Sequence, residues 1–179
     1  MGIPTLITTN TSSNAATSDF TSGISSSYDE YMFVFTDLNP VTGGGIAFQV
    51  NAVGGSGYNE TITSTYFNAN HGEDGSTGEL DYVASQDSAQ TTTFQTMCQS
   101  IGTGSDQSGA GILYLFSPAS TTYVKHWYSR FAIHYGDTGN SSQTFAGGYI
   151  NTTTAIDDIQ FKMANGGNMD GVIQMYGIS

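Results

Sequence analysis

Hydrophobic and polar residues alternate with a period of two along much of this chain, and that period is typical of β-strands. The run 31–36 shows it most clearly, because Tyr31, Phe33 and Phe35 fall on one face. Met32 and Val34 fall on the other, so both faces are apolar and we expect both to be covered. The same pattern predicts further strands at residues 46–50, 61–67, 80–82, 93–98, 111–116, 145–150, 156–163 and 172–178.

The longest alternating run, residues 123–135, predicts a strand with one core face and one exposed face. The predicted core face consists of Tyr123, Trp127, Phe131, Ile133 and Tyr135. The opposite face carries Val124, His126, Tyr128, Arg130, Ala132 and His134, a mixed set that suits solvent or a neighbouring subunit. In the run 46–50, the polar face formed by Ala47 and Gln49 predicts a half-buried strand.

Turn-forming residues separate these runs, for example Asn39-Pro40 and the three glycines at 43–45. Many short strands joined by turns, without a helical stretch of useful length, predict an all-β fold. We expect a single-domain antiparallel β-sandwich, jelly-roll-like, over residues 1–179. Polar stretches around 68–79 and 85–107 predict two loop excursions at the surface.

The composition agrees with this fold and limits the kinds of partner that the protein can bind. There are 23 Gly, 11 Tyr and 10 Phe, and only 10% of the residues are charged. Fifteen acidic residues face three basic ones, Lys125, Arg130 and Lys162, for a formal net charge of −12 at pH 7. DNA binding depends on many Lys and Arg contacts to phosphate, so we expect no nucleic-acid partner. We expect no membrane partner for the same electrostatic reason.

The acidic residues offer two kinds of chemistry. Sequential carboxylates such as Asp157-Asp158 point to opposite faces of a strand, so they cannot form the acid and nucleophile couple of a glycosidase. The segment 73–81 is rich in carboxylate and hydroxyl oxygens and could bind Ca²⁺, but it lacks the spacing of an EF-hand. We therefore expect a solvated loop without a cofactor, with calcium as the alternative.

Histidine and cysteine provide no recognisable reactive site. His126 and His134 are separated by about 26 Å if the chain between them is extended, which is too far to share a metal ion. Cys98 is the single cysteine, so no intrachain disulfide can form, and we expect its thiol to be buried. Trp127 could stack on a sugar ring, but its alignment with Phe131 favours a place in the core. These patterns predict a protein that is not an enzyme.

Five sequence phrases stand out along the chain: FTSGI at 20–24, SYDEYMFVF at 27–35, NP at 39–40, AIDDIQF at 155–161 and NMDGVIQMYGI at 168–178. With these phrases the chain resembles small virion structural proteins of marine tailed phages. The likeness runs over most of the chain. It implies a protein similar to capsid decoration knobs and to the β-sandwich modules of tail fibres, without separating those two placements. It transfers no catalytic residue to this sequence.

Together these observations predict a structural protein at the virion surface. The first hypothesis is a capsid decoration, or cement, protein that binds the major capsid protein and copies of itself, as trimers by analogy with virion knobs. The lack of repeats or heptads that would form a fibre shaft favours this hypothesis. The alternative is a tail-fibre or receptor-binding module that holds a host-surface glycan through the 68–79 loop, the 85–107 region or an aromatic platform.

Two residues on the exposed face of the run 123–135 are the predicted interface residues. Tyr128 would act as an aromatic anchor, and Arg130 would meet a carboxylate of the next subunit. Because the chain has so few cations, we expect apolar and aromatic anchors inside a polar rim to supply most of the binding energy.

Overall fold

The computed structural model describes residues 2–76 and 78–179. Within them the chain forms thirteen strands and one 3-10 helix, Ala84–Gln86. The strands are β1 (Thr5–Ala15), β2 (Ser18–Phe20), β3 (Glu30–Pro40), β4 (Ile46–Ala52), β5 (Ile62–Gly72), β6 (Gly78–Tyr82), β7 (Ala89–Thr91), β8 (Gln95–Thr96), β9 (Gly109–Phe116), β10 (Lys125–Tyr135), β11 (Asn140–Ile150), β12 (Ile156–Met163) and β13 (Met169–Ile178).

The strands form two antiparallel sheets. The large sheet has nine strands in the order β1-β13-β3-β9-β10-β11-β5-β6, with β7 also paired to β5. The small sheet has the order β2-β12-β4-β8. Four strands of the large sheet, β1-β13-β3-β9, and the four of the small sheet have the strand order of a jelly roll, in which two Greek keys interlock. The all-β, jelly-roll-like sandwich predicted from the sequence is confirmed.

Two insertions widen the large sheet beyond the jelly roll. The hairpin β10–β11 pairs with β9 and continues the sheet. Strand β5 pairs with β11, and β6 and β7 pair with the far side of β5. The result is one broad sheet whose outer face is much larger than the small sheet beneath it.

Aromatic side chains from both sheets meet in one hydrophobic core. Phe161 of β12 lies with its ring centroid 5.3 Å from Phe33 and 5.0 Å from Phe35, both on β3. Phe20 of β2 lies 5.9 Å from the Phe161 ring. These edge-to-face contacts add to the burial of large apolar surfaces, which is the main force that holds the sheets together.

Strand β4 is buried on both faces, so the half-buried strand predicted at 46–50 is wrong. Gln49, expected on an open face, is fully buried. Its Nε2 donates hydrogen bonds to the backbone oxygens of Glu60, Thr92 and Thr93. The connections on either side of the β5–β7 insertion therefore cover the outer face of β4 and accept the hydrogen bonds of the Gln49 amide.

The two predicted loop excursions are largely ordered parts of the fold. In the stretch 68–79, residues 68–72 continue β5, because β11 and β6 pair with them from both sides, and residues 78 and 79 begin β6. The expected loop shrinks to residues 73–76, and residue 77 lies outside the described residues. The region 85–107 contains β7 and β8, and its side chains Met97, Cys98 and Ile101 are buried in the core rather than at the surface.

A glycine in β11 is required by the close approach of β5. A Cβ atom at Gly148 would overlap the carbonyl oxygen of Thr63 and lie 2.8 Å from the Cα of Ser64. At the adjacent Gly147 the nearest atom would be the Cβ of Tyr128 at 3.4 Å, an ordinary contact. We expect Gly148→Ala to lower the free energy of unfolding by about 1–3 kcal/mol, since backbone must shift to accept the methyl group.

Urea denaturation of Gly148→Ala and Gly147→Ala in parallel measures this effect. The Gly147 variant is the matched control, and it should cost clearly less. Equal losses in the two variants would contradict the close approach of β5 and β11.

Candidate functional site

The outer face of the large sheet, which points away from the small sheet, is unusually rich in apolar and aromatic side chains. Met32 of β3 lies between Tyr176 of β13 and Tyr114 of β9. Tyr114 in turn lies beside Tyr128 of β10. Side chains directly opposite on one face contact each other, so these four form a continuous row.

A second row runs parallel to the first and reaches the far edge of the sheet. Its members, in strand order β3, β9, β10, β11, β5 and β6, are Val34, Ile112, Arg130, Phe145, Phe67 and Tyr82. Arg130 is the single charged member, and apolar or aromatic side chains lie on both sides of it.

The rings on this face are stacked and partly open to solvent. Tyr128 lies 4.9 Å from Tyr114 and 5.7 Å from Phe116 between ring centroids, with an interplanar angle of 29° in both pairs. Phe67 and Phe145 stack at 5.0 Å and 10°. Tyr128 is 47% exposed and Phe67 is 42% exposed. Contiguous exposed apolar patches are common at surfaces where proteins bind partners or ligands.

Arg130 is held in a defined orientation within this patch. Its Nε donates a hydrogen bond of 3.3 Å to Oε1 of Gln143, and its guanidinium carbon lies 5.4 Å from the centroid of the Phe145 ring. Among the described residues, no Asp or Glu forms an ion pair with it. An exposed guanidinium fixed by stacking leaves its terminal nitrogens available to a carboxylate from outside the chain.

Two shallow depressions flank Arg130 on this face. One, of about 370 Å³, includes Val34, Ile112 and Arg130 in its lining. The other, of about 250 Å³, includes Phe67, Tyr128 and Phe145. Two apolar depressions therefore lie on either side of the Arg130 guanidinium. A partner could place one apolar side chain in each depression and an acidic group against Arg130.

The structure places both predicted interface residues, Tyr128 and Arg130, on this outer face, two positions apart on β10. Sequence reasoning missed Phe67 and Tyr82, which continue the row of Arg130 on β5 and β6, because those strands are distant in the chain. The period of two in β5 and β6 marks which side chains share a face, but it does not reveal that β5 lies beside β11 or that β6 lies beside β5.

The predicted core face of β10 is correct at its centre and wrong at its start. Trp127 is buried and its ring lies 4.8 Å from that of Phe48, so it belongs to the core and not to a sugar platform. Tyr123, by contrast, is 72% exposed, because the strand begins only at Lys125 and the chain before it is a loop.

Lys125 was not predicted as a core residue, yet it is fully buried. Its Nζ donates hydrogen bonds to the backbone oxygens of Tyr123 (2.9 Å) and Thr152 (3.1 Å). Burial lowers the pKa of this amine, and the nearby carboxylate of Glu60 partly opposes that shift. The signal was present in the sequence, since Lys125 has the same parity as Trp127 in the alternating run.

The remaining candidate groups are dispersed. Burial raises the pKa of the Cys98 thiol to about 12, so it is a poor nucleophile. His134 Nε2 lies 3.7 Å from Oε1 of Glu73, whereas His126 lies at the other end of β10. No group of three or more His, Cys, Asp or Glu side chains suited to a metal ion occurs in the part of the chain that the structure describes.

The acidic segment considered for calcium is divided between two structural elements. Glu73 and Asp74 lie in the turn after β5, where Asp74 accepts a hydrogen bond of 2.9 Å from the backbone nitrogen of Ser76. Hydrogen bonding from the Ser76 side chain, and next from its backbone nitrogen, lowers the pKa of Asp74. Glu79 and Asp81 lie on β6, opposite Asn70 and Asn68 of β5.

Within the described ranges, no helix has the length and apolar character needed to cross a membrane.

Comparisons with known proteins provide little further information. No family model and no curated protein matches this chain. A crystal structure of a Bacteroides ovatus protein of unknown function is 8% identical, with a TM-score of 0.31, and the match covers 56% of this chain and 44% of that one. The structure of the Gx strain of infectious bursal disease virus is 13% identical, with a TM-score of 0.19, covering 98% and 41%. This chain thus spans less than half the length of either, and TM-scores this low support no argument.

Proposed function

We propose that this protein is a non-enzymatic structural protein on the surface of a tailed-phage virion, and most specifically a capsid decoration protein. The observation that carries the proposal is the outer face of the large sheet, where stacked aromatic rings surround one oriented arginine. Interfaces between proteins are enriched in Tyr, Phe, Met and Arg, and this face combines all four.

The chemistry of the face suggests what the neighbouring subunit presents. Apolar side chains would fill the two depressions beside Tyr128 and Val34, and a carboxylate would pair with Arg130. A buried pair of this kind gives specificity, because a partner without the acid leaves the guanidinium desolvated and unpaired. The major capsid protein is the proposed partner, since a decoration protein must recognise a lattice of identical shell subunits.

The number of copies per virion tests the proposal directly. Quantitative mass spectrometry of purified virions would compare this chain with the major capsid protein. A ratio near one, or a simple fraction of one, supports a decoration role. A few copies per particle would assign the protein to the tail, and absence from the particle would refute the proposal altogether.

Arg130→Ala tests the role of the outer face. We expect the variant to bind undecorated shells at least about tenfold more weakly, because a charge-assisted hydrogen bond contributes about 1.5–3 kcal/mol. Isothermal titration with purified shells measures the change. Lys162→Ala is the matched control, since it removes the same charge from the small sheet, where Nζ lies 3.8 Å from the centroid of the Phe94 ring. Equal binding by wild type and Arg130→Ala would count against this face as the interface.

The second candidate function is a tail-fibre or receptor-binding module that holds a host glycan. The stack of Tyr114, Phe116 and Tyr128 favours it, because solvent-facing aromatic rings also bind sugar rings. Titration of Tyr128→Ala with host polysaccharide separates the two candidates. Glycan binding that the variant loses would support the receptor-binding module, whereas no binding by the wild type would oppose it.

A further inference from the structure

The exposed edges of the two sheets differ sharply in how they are protected. In many proteins the edge strands are short or carry charged side chains, and both features prevent them from pairing with other chains. Strands β2, β7 and β8 have only two or three residues, and β6 has five residues that include Glu79 and Asp81. Strand β1, by contrast, is an edge of eleven residues without one charged side chain.

The central part of β1 is regular and open on one side. Its pairing with β13 shifts register between Leu6 and Thr8 and again between Ser12 and Ala15, which leaves residues 8–12 as an uninterrupted ladder. Thr9 and Thr11 are exposed on the outer face. These residues thus form a regular strand segment that pairs with β13 on one side and with no other strand in the described part of the chain.

The inner side of this segment is held in place by the small sheet. Asn10 Nδ2 donates hydrogen bonds to the hydroxyl of Ser18 (3.2 Å) and the backbone oxygen of Asp19 (2.8 Å). The Asp19 carboxylate in turn accepts hydrogen bonds from Thr17 and Gln160. The edge is therefore preorganised, which lowers the entropic cost of pairing with another strand.

We propose that two copies of this chain pair through β1, antiparallel to each other about a two-fold axis at Asn10. In that register, Thr9 of one copy lies opposite Thr11 of the other, and Thr8 lies opposite Ser12. Each pair joins two hydroxyl side chains, a favourable cross-strand combination. An isologous contact of this kind needs no second surface and closes as a dimer.

The distribution of charge makes β1 the long edge at which a second copy of this chain can pair without repulsion between strand side chains. Each chain carries a formal net charge of −12, so two copies repel each other wherever carboxylates approach. Strand β1 avoids that repulsion along its entire length, whereas β6 would bring Glu79 and Asp81 against a partner. The inference goes beyond the proposed function and does not depend on it, because the outer face stays free for a shell subunit.

A designed charge pattern tests both the pairing and its register. Sedimentation velocity of the full chain over a concentration series should show a dimer for the wild type. The variant T9E/T11E places like charges opposite each other, and we expect its dimer dissociation constant to rise at least about tenfold. The variant T9E/T11K changes the same positions but places opposite charges across the axis, so its dimer should persist. Far-UV circular dichroism and the thermal midpoint verify that both variants fold.

Three outcomes would overturn the inference. They are a wild type that stays monomeric up to its solubility limit, a dimer or trimer that T9E/T11E leaves intact, and equal dissociation of both variants. Each result is independent of the copy number in virions. Evidence against the β1 dimer would therefore not contradict the proposed decoration role, and evidence against that role would not contradict the dimer.

Discussion

Phe161→Ala is expected to lower the free energy of unfolding by about 3–5 kcal/mol, a large part of the stability of a domain of this size. Phe161 is fully buried, and its ring contacts those of Phe20, Phe33 and Phe35. It belongs to the small sheet, whereas Phe33 and Phe35 belong to the large one. Truncation therefore removes one of the large side chains that join the two layers and leaves a cavity between them.

Chemical denaturation followed by circular dichroism measures this loss. Tyr123→Ala is the matched control, because that side chain is also a large ring but is 72% exposed, and its removal should change stability by no more than about 0.5 kcal/mol. A Phe161→Ala protein as stable as this control would mean that the sheets do not pack as described.

Lys125→Met is expected to destabilise the protein by about 1–3 kcal/mol, although it replaces a buried charge with an apolar side chain of similar length. The reason is that the backbone oxygens of Tyr123 and Thr152 lose their shared donor. A buried carbonyl without a partner carries the full cost of its desolvation. The loss should be concentrated in the loop before β10 and the loop after β11, which hydrogen exchange of those segments would detect.

The stability difference between wild type and Lys125→Met should also depend on pH. The folded pKa of Lys125 lies below the ordinary value of 10.5, so between those two values the unfolded chain binds more protons than the folded one. Raising the pH through this interval therefore stabilises the wild type relative to the variant. Below the interval the difference is constant, and above 10.5 it levels off again.

Denaturation of both proteins across this pH range supplies the test. Ionisation of buried tyrosines also changes stability at high pH, but it affects both proteins alike and cancels in the difference. A difference that falls as pH rises would show that the fold stabilises the charged form of Lys125, contrary to the geometry of its burial.

The local alternation of side chains predicted the strands that form the centre of the fold. Tyr31, Phe33 and Phe35 were expected on a covered face, and all three are buried. The opposite face of the same strand was also expected to be covered, and that was wrong, because Met32 and Val34 are only partly buried on the outer face. The same pattern placed Trp127 in the core and Tyr128 and Arg130 on the opposite face. These predictions succeeded because the side-chain direction in a strand follows from the backbone alone.

Strands without hydrophobic alternation were missed. Strand β1 contains mainly Thr, Ser and Asn, and β2 has only the three residues Ser18–Phe20. They are strands because β13 and β12 pair with them. The polar residues 68–72 read as a loop for the same reason, although β6 and β11 hold them in the large sheet. In these segments, hydrogen bonds to a neighbouring strand determine the strand conformation, because the side chains do not alternate between apolar and polar.

The sequence by itself determined the all-β class, most of the core residues and the acidic character of the protein, because these depend on composition and on a period of two. Only the tertiary structure decided the order of the strands, the complete burial of β4 and Lys125, and the two aromatic rows on the outer face. Those features depend on which distant strands become neighbours. A repeating pattern states which way a side chain points, but not which strand lies beside it.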